Sequence, residues 1–161
     1  MMRRVLVVLL LAGVVGGDAF AADTGTVARA EAPAPSRTTF YLQLIRGNSE
    51  STAPAPGAKL IGPKLSQKLS PVFKWSNYWE IKRDSVDLEV GKSVRKKLSA
   101  EREVEVELLK TQDVAVRVIR NGKPTRETRQ GAANAFVICG GDKEEDQSWF
   151  IVVRRDNPSQ P

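Results

Sequence analysis

Along most of this chain apolar side chains recur at every second position, in short runs separated by turn-forming residues. Residues 103–109 show it most plainly. Val104, Val106 and Leu108 fall on one side of an extended backbone, while Glu103, Glu105 and Glu107, preceded by Glu101, fall on the other. A helix would spread those valines around its circumference, so a strand with one buried face is the conformation this pattern selects. Val114, Val116 and Val118 repeat it, and Asn121-Gly122 then offers the positive backbone angles of a tight hairpin turn, with the return strand expected over Thr125 to Arg129.

Further strands are expected over Thr38 to Arg46, Tyr78 to Lys82, Ser85 to Val90, Ser93 to Leu98, Ala135 to Cys139 and Ser148 to Arg154. Only Pro63 to Val72 reads as helix. Proline opens it, Leu65 and Leu69 lie four apart, and Pro71 limits its end. The pattern predicts an all-β fold: an antiparallel β-sandwich or partly open barrel of about nine short strands, with one short helix closing an end. Trp149 and Phe150 face opposite ways on the last strand, so one of them needs a second layer or a non-core environment.

The first residues carry a different signal. Arg3 and Arg4 precede an apolar run from Val5 to Val15, and Ala19-Phe20-Ala21 supplies the small-residue end that signal peptidase reads. We expect residues 1–21 to be a signal peptide and the product to be exported, periplasmic or extracellular after cleavage near Ala21, with no membrane span remaining. Residues 22–37, as in Ala32-Pro33-Ala34-Pro35-Ser36, have almost no large apolar side chain and read as a flexible linker. Residues 38–155 then form a single β-rich domain, interrupted by a surface loop from Gly47 to Gly57, and residues 156–161 a polar tail. Cleavage leaves 140 residues and lowers the formal charge from +6 to +5. A chain of that size buries enough surface to make a core without staples. It must do so, since Cys139 is its only cysteine and reads, in Val137-Ile138-Cys139, as a small buried hydrophobe.

Charge and composition remove several function classes. The cations are dispersed among nineteen acids rather than gathered in a stripe with stacking aromatics, which argues against nucleic acid. Histidine is absent, which removes the usual proton shuttle and the commonest transition-metal ligand. No catalytic residue, metal site or cofactor is indicated. Successive glutamates of the Glu101–Glu107 stripe stand too far apart on a strand to share one calcium ion, so they are expected to pair across strands with cations such as Arg95, Lys96 and Lys97. Asp142, Glu144 and Asp146 alternate like the start of a calcium loop, but Gln147 replaces its glycine and Val153 its last glutamate, leaving a polar hairpin connection. Val90-Gly91-Lys92-Ser93 lacks the first glycine of a phosphate loop, where Val86 stands, and reads as a turn. An acid-pair hydrolase needs two placed carboxyls, and nothing marks any acid as placed.

Phe73, Trp75, Tyr78 and Trp79 are the concentration of rings best suited to binding. Trp75, Tyr78 and Trp79 are therefore the candidate binding residues, with core packing as the competing role for each. The run Lys68-Leu69-Ser70-Pro71-Val72-Phe73-Lys74-Trp75, followed by Tyr78-Trp79-Glu80, the alternating Arg102 to Leu109, Ile138-Cys139-Gly140-Gly141 and Ser148-Trp149-Phe150-Ile151-Val152-Val153, resembles in layout a group of uncharacterised exported bacterial proteins. That resemblance implies an envelope setting and a β-rich single domain, and transfers no activity. The expectation is a non-catalytic interaction or accessory module of the bacterial envelope, with an envelope protein as partner. The alternative is a module that binds carbohydrate or an anionic polymer such as a cell-envelope glycan.

Overall fold

The computed structural model describes residues 37–144 and 146–158. The expected signal peptide, most of the expected linker and the last residues of the expected tail lie outside them. The described chain runs β1 (Arg37–Asn48), β2 (Lys59–Leu60), α1 (Pro63–Phe73), β3 (Asn77–Glu89), β4 (Lys92–Lys97), β5 (Arg102–Leu108), β6 (Asp113–Arg120), β7 (Lys123–Gly131), a single 3-10 turn (Ala132–Asn134), β8 (Phe136–Glu144) and β9 (Gln147–Arg154). These strands form two antiparallel sheets, β2-β3-β1-β9-β8 and β4-β5-β6-β7. The fold is the all-β sandwich that the alternation predicts. The segments expected as two strands, Tyr78 to Lys82 and Ser85 to Val90, are one long strand, whose register against β1 shifts at Leu44/Ile45.

Between the sheets lies the principal core. Phe40, Leu42, Leu44, Val86, Leu88, Ile151 and Val153 of the larger sheet meet Val104, Val106, Leu108, Val114, Val116 and Val118 of the smaller. Cys139 belongs to this layer, and burial pushes its thiol above its ordinary pKa. The outer face of the smaller sheet carries the acid stripe, and its charges alternate across the strands. Arg95 of β4 reaches Glu103, while Arg117 of β6 holds Glu105 at 2.9 Å and Glu127 of β7 at 3.1 Å. The expected cross-strand pairing is present, with Arg117 as its central cation. Lys96 instead pairs with Asp84 of β3.

The larger sheet is covered on both faces, which places α1 differently from the sequence reading. Rather than closing an end of the sandwich, α1 lies on the outer face of the larger sheet. Leu65 and Leu69 pack there with Ile45, Tyr78, Phe150 and Val152 in a second core. Phe150 thus occupies a second layer, while Trp149 points inward. Pro71 falls inside the last turn of α1, and the helix ends at Lys74, which adopts a left-handed conformation (φ 57°).

At one margin of the sandwich a polar clasp joins the sheets. Glu144 Oε1 accepts hydrogen bonds from Arg102 of β5 at 2.6 Å and Arg120 of β6 at 2.7 Å, and its Oε2 accepts from Trp149 Nε1 at 3.0 Å. The guanidinium of Arg102 lies 4.5 Å from the Trp149 ring centre, a cation-π contact. Glu144 therefore belongs to a structural network, although it sits in the expected hairpin connection between β8 and β9.

Candidate binding cleft

β1 reads Phe40-Tyr41-Leu42-Gln43-Leu44-Ile45, an almost unbroken apolar run, because both of its faces are covered. The odd positions of that run face the α1 side, and Gln43 is the buried polar residue among them. Arg154 ends the comparable run Trp149 to Val153 on β9 and shares that outer face with Phe150 and Val152. Gln43 pairs across the ladder with Arg83 of β3, and Ile45 with Glu80, so four polar side chains meet where the helix leaves the sheet uncovered.

These side chains floor a cleft of about 600 Å³, a size typical of small-molecule and peptide-anchor sites. One wall is β2 and the start of α1, with Leu60, Ile61, Pro63 and the cations Lys59 and Lys64; Asp156 to Pro158 complete the lining. Leu60 is 59% exposed. The walls are mainly apolar, and the floor is charged.

Within the floor, Arg83 grips Glu80 through two hydrogen bonds of 2.9 Å, and Gln43 Nε2 donates to the same carboxylate. Arg154 pairs with Asp156 at 3.3 Å. Its side chain is only 8% exposed, and its Nε has no hydrogen-bond partner among the described residues; neither does Oε1 of Gln43, a residue 2% exposed. Burial, with a smaller contribution from the Arg83 charge, lowers the Arg154 pKa, against the opposing pull of Asp156 and Glu80. The floor thus holds a guanidinium N–H, at Arg154 Nε, and an amide acceptor, at Gln43 Oε1, that have no hydrogen-bond partner among the described residues.

The three ring residues singled out in the sequence do not form a platform. Tyr78 is 2% and Trp79 7% exposed, and Trp75 is half-buried against the second core. Tyr78 Oη accepts the Trp75 backbone N–H at 3.3 Å, and Trp79 Nε1 donates to Asn48 Oδ1 at 3.2 Å. Tyr78 packs in the second core, whereas its neighbour Trp79, on the other side of β3, is buried outside that cluster. Ring density along the sequence missed the cleft. The signal that would have found it is a polar residue within, or ending, an apolar run too continuous for a one-faced strand.

Among the described residues no group of three histidine, cysteine or acidic side chains is placed to hold a metal ion, and no helix is long and apolar enough to cross a membrane. No family model, curated protein or solved structure matches this chain.

Proposed function

We propose that this protein is a non-catalytic binding module of the bacterial envelope, exported by its N-terminal signal, that seats part of an envelope protein in the cleft beside α1. The observation that carries this reading is the pairing of a mainly apolar, solvent-open cleft with a floor where Arg154 Nε and Gln43 Oε1 have no hydrogen-bond partner among the described residues. Desolvated polar groups surrounded by apolar walls favour a specific partner over general adhesion. Both acids of the cleft, Glu80 and Asp156, are held by arginines, an arrangement suited to recognition rather than proton transfer.

A photo-crosslinking residue at Leu60, on the exposed wall, tests the proposal in cells expressing the full chain. Saturable crosslinking to one envelope protein, absent when the crosslinker is moved to Glu107 on the smaller sheet, is the expected result. Recovery of glycan alone would select the polymer-binding alternative, and crosslinking equal from both positions would overturn the cleft as the binding surface.

A further inference from the structure

Resting on that reading, we infer that the cleft recognises the free C-terminus of a partner polypeptide ending in an apolar residue. Such an end combines a carboxylate, a backbone N–H and an apolar side chain within one residue. Each has a complement here. The cleft lining carries four cations, Lys59, Lys64, Arg83 and Arg154, against two acids, Glu80 and Asp156, so an anion is favoured. Arg154 is the cation best suited to hold it, because its side chain is buried, its ion-pair partner among the described residues is the exposed Asp156, and a planar guanidinium binds a carboxylate through two parallel hydrogen bonds.

The second complement is Gln43 Oε1. A ligand made of acceptors alone, such as a phosphodiester, would set its oxygens against this carbonyl and the Glu80 carboxylate. A terminal residue brings a donor beside its acid, which Oε1 can accept. Both Arg154 Nε and Gln43 Oε1 are shielded, so engagement turns these side chains toward the ligand. The third complement is the wall of Leu60, Ile61 and Pro63, which receives the last side chain. Capture of a chain terminus needs no catalytic group and distinguishes a true end from any internal sequence.

The test uses the exported protein and fluorescent six-residue peptides ending in leucine, as the free acid or the C-terminal amide, read by anisotropy. The free acid is expected to bind saturably, the amide at least tenfold more weakly, and a peptide ending in serine also at least tenfold more weakly. Arg154→Gln should abolish the acid-amide difference. Because Arg154 is buried, Lys64→Glu and Leu60→Ser on the exposed rim serve as second variants, the first weakening only the free acid and the second weakening the leucine peptide toward the serine one. Equal binding of acid and amide would overturn the inference, as would failure of every peptide to bind the folded protein. Crosslinks from Leu60 that map to an internal segment of a partner would overturn the terminus while leaving the cleft as the binding surface; loss of crosslinking at Leu60 altogether would remove both.

Discussion

Gly47 shows how closely the second core is fitted. A Cβ added there would stand 2.6 Å from Trp75 Cδ1 and 3.0 Å from Phe150 Cε2. Gly140 meets the same Phe150 ring from β8, beside the register shift between Gly140 and Asp142, so its missing side chain makes room for an aromatic one. Gly47→Ala should therefore cost about 1–3 kcal/mol through overpacking, measured as a lower urea midpoint with unchanged slope. Glu144 carries a second prediction at this scale. Burial works to raise its pKa, but hydrogen bonds from Arg102 and Trp149 and the charges of Arg102 and Arg120 together hold it below the ordinary glutamate range. Its contribution is then fully present above about pH 4.3, the unfolded value, and is lost as pH falls through the lower folded value. Glu144→Gln should cost about 2 kcal/mol at neutral pH, mostly by leaving the buried Arg102 undercompensated. It should also flatten the acid limb of the stability profile; an unchanged limb would assign that pH dependence to other carboxylates.

At the scale of elements, local rules account for hairpins better than for the helix. The turn between β6 and β7 has positive φ at both Asn121 (48°) and Gly122 (76°), as a two-residue hairpin loop requires. Gly122→Ala is expected to lose about 1 kcal/mol, seen as a lower thermal midpoint. The Pro63–Phe73 helix was legible from its opening proline and the Leu65/Leu69 spacing, but its position was not, because spacing specifies a buried face and not what buries it. Leu69→Ala should cost about 2–5 kcal/mol and expose Trp75, moving its fluorescence to longer wavelength. A smaller loss with unchanged emission would mean that α1 contributes little to the second core. The two-residue β2 was not legible at all, since Lys59-Leu60 is too short for any alternation and is a strand only because β3 offers its edge.

For the whole molecule, the larger sheet is the shared element. Its inward residues make the principal core and its outward residues the core under α1, so neither layer persists without it. Unfolding is expected to be a single cooperative transition, with near-ultraviolet and far-ultraviolet circular dichroism coincident in urea. An earlier near-ultraviolet change would show the α1 layer separating first. By itself the sequence determined what depends on neighbours along the chain: the period-two strands, the Asn121-Gly122 turn, the helix and the burial of Cys139. Tertiary structure alone decided that β1 and β9 are covered twice, that Tyr78 enters the second core while Trp79 is buried outside it, and that Gln43 and Arg154 come together beside α1. The physical reason is range. Alternation sorts side chains between two faces through local backbone geometry, whereas what covers each face, and where that cover stops, is decided by contacts between segments far apart in sequence.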